Sequence, residues 1–464
     1  MIEKIRTVAS WFNIKTFLFF GSAILYTLLL TFESTRLPFL LAIAGLILVS
    51  LCLYKRELAI LFMFGSLFMP ISMQFAGIIL RPADFLLGLT FILFIFELFL
   101  KAETSVRPFP YHKTIIVFIL TAILSLTKAN DKWASLSDII QMVELYVIGG
   151  IIFTNTLNDQ LLKKLSKLII FCIAIQISLV VPALIQGQRF WGWMGGNFAF
   201  IAVFAGIMAY HAMILFKGKK QLLAAIAFLL ICVGLIASAT RSSWLALIVG
   251  VLIANFFISK RLFKKSLAVL LIVVIILVLA GPNLISSRII SMTDPQFYSN
   301  VARIYLMLTA WNAFTQNPIT GIGIKNLRHQ LADYLPAMAR HLPTERKMTI
   351  AHEIQVSAGA HNMYFAILGE LGLLGFLCIA VLMVLSLRDA YKNYRASNEF
   401  WGRLKNSCVF SCLVAFYVMA FFVPGIHVRI ECTLFLVLLL SLIELEKLST
   451  ERISRSSEYR GLNH

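Results

Sequence analysis

The sequence predicts an all-α fold: a polytopic transmembrane helical bundle of about 12–14 spans with a helical extracytoplasmic loop. Three observations predict it. Of 464 residues, 60% are hydrophobic and only 14% charged, against roughly 45–50% and 25% in soluble domains. So much apolar surface would leave large patches facing water on a soluble protein. Apolar runs of about 20 residues, enough to cross a bilayer as helices, recur along the chain. Finally, the lysines and arginines sort by side when those runs are read as spans.

The runs fall at 16–32, 37–54, 57–75, 83–100, 113–127, 136–154, 166–185, 197–216, 221–239, 242–259, 266–283, 361–386, 406–424 and 430–446. The fifth is short, and the sixth begins amphipathic. Short cytoplasmic loops retain positive charge, and placing Lys4, Arg6 and Lys15 inside puts 27 of the 41 cations on the cytoplasmic side. The topology expected is therefore N-in and C-in, with one large external segment at 284–360. Formal charge is +19, which in a soluble chain would suggest nucleic acid. As a topological marker it does not, and no nucleic-acid partner is expected.

Three regions follow. Residues 1–190 form N-terminal transmembrane helices, 191–387 a central region including the external loop, and 388–464 the C-terminal helices and a cytoplasmic tail. Phe32 to Pro38 shows no small-residue cleavage pattern, so no removable signal is expected. Cys52, Cys172, Cys232, Cys378, Cys408, Cys412 and Cys432 lie within or at the ends of spans. The external loop therefore has no disulfide and is expected to be held by packing on the bundle.

That loop carries helical signals. Val301, Ile304, Leu308, Trp311 and Phe314 repeat at helical spacing over 297–316, with Asn317-Pro318 as a stop. Gly321-Ile322-Gly323 makes a turn, and Asn326 is placed to begin a second helix through Tyr334. Together they predict a helical cap on the outer membrane face.

Cations are few outside that loop on the external side. Arg241 lies in Thr240-Arg241-Ser242-Ser243-Trp244, between two spans, and Arg189 in Gln188-Arg189-Phe190-Trp191-Gly192-Trp193. Arg81 precedes Pro82 at the start of a span. Each has two readings. It snorkels to headgroups, or it joins others on one cavity, where guanidinium forks grip the oxygens of a diphosphate.

His361, in Gly359-Ala360-His361-Asn362-Met363-Tyr364, is expected in the first turn of the twelfth span. There the positive helix end favours neutral imidazole, the form a general base needs. A structural or headgroup-contacting histidine fits that position equally. His329, His341 and His352 have neither helical i, i+4 spacing nor a Cys partner, so no metal is expected. Beyond His361, Gly369, Gly372 and Gly375 recur every third residue, which predicts close approach of a neighbouring helix. Glu370, about 13 Å deeper by helical rise, must face the interior, as a polar partner for an arginine or as a catalytic carboxylate.

Taken in order, these stretches resemble the bacterial O-antigen ligase and polymerase superfamily. The carrying motifs are Thr240-Arg241-Ser242-Ser243-Trp244; Arg303 followed by Trp311; Asn317-Pro318-Ile319-Thr320-Gly321-Ile322-Gly323; and Ala360-His361-Asn362-Met363-Tyr364 running into Gly369-Glu370-Leu371-Gly372-Leu373-Leu374-Gly375. The resemblance covers about 190–385. Ser242-Ser243 departs from it, since a Gly often follows that arginine in the family.

The resemblance implies an integral-membrane glycosyltransferase in the inner membrane, using undecaprenyl-diphosphate-linked glycan as donor. It implies Arg241 and Arg303 as diphosphate-binding residues, with Arg189 a further candidate, and His361 as the functional histidine. Asn362, Tyr364 and Glu370 are taken as supporting residues. No cofactor is implied, because guanidinium charge serves in place of a metal. The acceptor expected is a lipid A–core sugar, as in the ligases, with membrane lipids around the bundle. The rival readings are a polymerase of O-antigen, capsule or exopolysaccharide, a protein O-glycosylating member, and a transporter of lipid-linked glycan.

Overall fold

The computed structural model describes residues 56–68, 73–75, 78–100, 106–177, 197–238, 240–268, 298–336, 360–423 and 430–461. The spans read at 16–32 and 37–54, and nearly all of the one at 266–283, lie outside these residues. So do Arg189 and residues 337–359 of the external segment.

In chain order the helices are α1 (Arg56–Ser66), α2 (Pro82–Leu100), α3 (His112–Ser125), α4 (Lys132–Met142), α5 (Gly149–Thr156), α6 (Asp159–Ile177) and α7 (Phe198–Leu215). They continue as α8 (Lys219–Ser238), α9 (Arg241–Ile258), α10 (Tyr298–Gln316), α11 (Leu331–Tyr334), α12 (Met363–Ala396), α13 (Phe400–Ala420) and α14 (Ile430–Gly461). The fold is all-α and polytopic. Among the described residues six helices are long and apolar enough to cross a membrane: α2, the Lys132–Thr156 rod, α7, α8, α9 and α12. In that rod a π-helical segment, Val143–Ile148, joins α4 to α5.

Two local departures from the sequence reading stand out. The third run, read as one span over 57–75, is helical only to Ser66, and a small antiparallel hairpin pairs β1 (Met73–Phe75) with β2 (Ile78–Leu80). The second helix expected over Asn326–Tyr334 is reduced to α11, preceded by turns. Asn326 does not cap it, because its side chain is engaged elsewhere, as described below.

Apolar character all round a helix predicts a buried one, and α7 is so placed, with Phe198 to Ile207 all buried. Close approach to its neighbours needs small residues. A Cβ at Gly206 would meet Leu247, and one at Gly250 would meet Ile207 at 2.5 Å, so glycines let α7 and α9 touch. Phe204 stacks on Phe435 of α14 at 5.0 Å, and Phe64 of α1 meets the same ring edge-on at 5.4 Å. By contrast α8 exposes Leu222, Leu223, Ile226 and Leu229 on its outer face. Such a face suits hydrocarbon, where it costs nothing to leave uncovered.

Polar contacts gather at two ends of the bundle. At one, Lys164 pairs with Glu57 at 3.2 Å, Arg56 with Glu97 at 2.7 Å, and Lys405 with Glu446 at 2.7 Å. Tyr394 near the end of α12 donates to the Phe257 carbonyl near the end of α9. The start of α9, with Arg241, therefore lies toward the opposite end.

Candidate active site

α10 organises this end. Ala302, Leu306, Ala310 and Ala313 are fully or almost fully buried. A Cβ at Gly369 would come within 2.8 Å of the Ala310 carbonyl oxygen, so the α10 backbone lies directly on the first segment of α12. Small residues on both helices allow this spacing. Gly369 thus does what the sequence reading asked of it.

Gly372 and Gly375 do not extend that face, because α12 is broken. Gly372 has φ 65° and ψ −163°, a conformation open essentially to glycine alone. In a continuous helix the N–H groups of Leu373 and Leu374 would bond the carbonyls of Gly369 and Glu370. Here Leu373 N–H donates to Pro318 O at 2.8 Å and Leu374 N–H to Ile319 O at 3.4 Å. The two freed carbonyls accept from Ile322 N–H at 3.2 Å and Gly323 N–H at 3.0 Å. The segment Asn317–Gly323 that follows α10 is therefore plugged into the break, and it satisfies these four backbone groups. Irregular backbone within a membrane protein survives only when buried in protein this way. The left-handed Gly321 (φ 67°) is required because a Cβ there would overlap the Glu370 carbonyl.

Glu370 is buried beneath the plug, where its carboxylate accepts the Leu327 N–H at 3.2 Å. Its observed partner is thus the loop backbone, not the arginine envisaged from the sequence. A buried carboxylate needs such donors to offset lost hydration.

The break and plug fix what α10 presents. Asn300, Arg303 and Met307 fall on one side of the helix, within about 10 Å along its axis at 1.5 Å per residue. Arg241, the first residue of α9, places Nη1 3.4 Å from Asn300 Oδ1. Arg303 is half-buried between these positions. At Met307 the thioether meets Asn362 Nδ2 at 3.9 Å, and Asn362 adjoins His361. The structure therefore brings Arg241, and Asn362 next to His361, against the side of α10 that carries Arg303.

His361 stands two residues before the first helical residue rather than in the first turn. α12 starts at Met363, and Asn362 is the cap, its side-chain oxygen accepting from Tyr364 N–H at 2.9 Å and Phe365 N–H at 3.2 Å. His361 precedes that cap with φ 51°. A non-glycine residue in the left-handed region is uncommon and held only by its surroundings. The cap supplies part of that hold. Tyr364 supplies more, donating its hydroxyl to the Tyr417 carbonyl at 3.0 Å and packing on Phe421 with ring centroids 4.5 Å apart. Arg81 at the start of α2 belongs to another corner, where its N–H donates to Asp84 at 2.6 Å.

Three contributors escaped the sequence reading. Asn300 carries no motif, and its role as partner to Arg241 is purely spatial. Lys325 lies in no motif, and Asn326 was read as a helix start. The pairing of Gly-x-Gly at 321–323 with Gly372 was the one available hint, since both stretches need backbone geometry that side chains forbid.

Residues 226–380, which span most of α8, all of α9 and α10, the plug and the first half of α12, match the family model described as O-antigen ligase. No curated protein matches the chain. The matched residues are those that assemble this end of the bundle, and the chain is a multi-pass membrane protein whose residues 226–380 are similar to the O-antigen ligase family.

Proposed function

We propose that the protein transfers a glycan from undecaprenyl diphosphate to a sugar hydroxyl of a lipid A–core acceptor, at the outer face of the bacterial inner membrane. The observation that supports this reading is that Arg241 meets Asn300, and Asn362 next to His361 meets Met307, on the side of α10 that carries Arg303. Two guanidinium groups and an imidazole on neighbouring elements suit a donor whose leaving group is a diphosphate.

The acceptor oxygen attacks the anomeric carbon and gives its proton to the His361 imidazole. As the new C–O bond forms, the bond from the anomeric carbon to the phosphate oxygen breaks, and its electron pair leaves with the lipid diphosphate. Arg241 and Arg303, with Arg189 as a third donor, stabilise the charge that develops there. One displacement inverts the anomeric configuration. Asn362 and Tyr364 hold His361 in place, and Glu370 holds the plug. With N-in, C-in topology this end of the bundle faces the periplasm, and lipids cover apolar faces such as that of α8.

Purified protein, lipid-diphosphate glycan and acceptor test the proposal directly. Wild type forms a new glycosidic bond, while Arg241→Ala, Arg303→Ala and His361→Ala abolish transfer at unchanged abundance. Wild-type product from His361→Ala removes that residue as base. Product with retained configuration refutes single displacement. Deleting the gene separates ligase from polymerase, since loss of a ligase leaves free lipid-linked polymer and loss of a polymerase leaves single repeat units.

A further inference from the structure

A second set of contacts fastens the plug to a corner of the bundle that lies outside the family match. Between α3 and α4, Ser125 Oγ accepts the Ile324 N–H at 3.3 Å, and Ser135 Oγ donates to the Ile324 carbonyl at 2.6 Å. Asn326 Oδ1 accepts the Asp131 N–H at 2.8 Å, and its Nδ2 donates to Ser135 Oγ at 2.6 Å. Lys325 extends to Asp138 of α4 at 2.6 Å, with the carboxylate buried. Lys325 also has φ 62°, so its backbone is held in the left-handed region while its side chain reaches Asp138.

These contacts have a consequence for the site. α10 is followed directly by the plug, the plug fills the break in α12, and α12 begins beside His361. Fixing the plug therefore fixes where α10 presents Arg303 relative to His361. We propose that the Lys325–Asp138 ion pair is a positioning device for the transfer reaction, by which the N-terminal half of the bundle sets the register of the arginine helix against the histidine. The inference rests on the glycosyl-transfer reading above. Neither residue touches the donor, so both act through α10 and the plug. Loss of the pair should slow the chemical step more than it weakens donor binding, because misplacement by about 1 Å can cost about 10²-fold in rate.

Removing one partner alone strands a buried charge and threatens folding, whereas replacing both by apolar residues of similar volume is often neutral. The decisive variant is thus the double one, Lys325→Met with Asp138→Leu, compared with Lys325→Met alone and wild type as purified full-length protein. Transfer is measured over a range of donor concentrations. For the double variant, kcat is expected to fall at least tenfold with donor KM within twofold, at wild-type thermal stability. A folded double variant with wild-type kcat would overturn the proposal, as would a loss confined to KM or a double variant that cannot be recovered folded. Absence of glycosidic product from the wild type would instead overturn the transfer reading itself.

Discussion

Gly372→Ala isolates the break in α12. The native φ of 65° with ψ −163° costs a non-glycine residue about 1–3 kcal/mol. A Cβ would also overlap the Ile319 carbonyl and come within 2.8 Å of Gly321 N. Both are backbone atoms, so no rotamer change relieves the contact. The plug must withdraw, or the helix must close. Closure satisfies Leu373, Leu374, Gly369 and Glu370 but strands Pro318 O, Ile319 O, Ile322 N and Gly323 N. Buried groups left unpaired cost about 1–3 kcal/mol each, so with partial rescue by water the total is on the order of 5 kcal/mol, in the exceptional class for one substitution. At about 2–4 °C per kcal/mol for a chain of a few hundred residues, the melting midpoint of the purified protein should fall by about 10 °C or more. Gly88→Ala in α2 is the control, since a Cβ there meets nothing within 4 Å. It should be neutral or stabilising by up to about 1 kcal/mol. A Gly372→Ala protein that melts within about 2 °C of wild type would refute the plugged break.

Other substitutions probe separate parts of the same reasoning. Asn362→Ala removes the acceptor for two N–H groups of α12 and should cost about 1 kcal/mol. The melting midpoint should then drop by only a few degrees while transfer falls about tenfold, because His361 loses the cap that holds its left-handed backbone. Gly369→Leu forces α10 off α12 at Ala310, and transfer should be lost even in whatever fraction folds, as read by product formed per folded molecule. Asn255→Leu, at the far end of α9, removes the acceptor of the Tyr210 hydroxyl and the donor to Ser266 Oγ. It should cost about 1–3 kcal/mol in thermal stability with turnover per folded molecule unchanged. Reduced turnover would show that the two ends of the bundle are not independent.

Much of the fold was legible in the sequence because the bilayer writes one-dimensional rules. Hydrocarbon thickness sets the length of an apolar run, and α2, α7, α8 and α9 begin and end within about two residues of where apolarity starts and stops. The helical spacing of Val301 to Phe314 likewise marked α10. The third run was misread past Ser66 because Met73–Phe75 and Ile78–Leu80 are as apolar as a helix and differ only in whom their backbone pairs with. Asn326 was read as a helix start because it is a good cap, whereas its partners, Asp131 and Ser135, lie nearly two hundred residues away.

Local chemistry, then, determined the all-α membrane class, the position of most helices, and which arginines and histidine to inspect. Tertiary structure alone decided that Arg241, and Asn362 next to His361, reach the side of α10 that carries Arg303. It also decided that three evenly spaced glycines are not one helix face. Gly369 admits a helix, while Gly372 opens a gap that another segment fills. The reason is physical. Hydropathy and propensity act over a few neighbouring residues, whereas the bonds that close the break join backbone groups about fifty residues apart, and no periodicity in the chain encodes such a pairing.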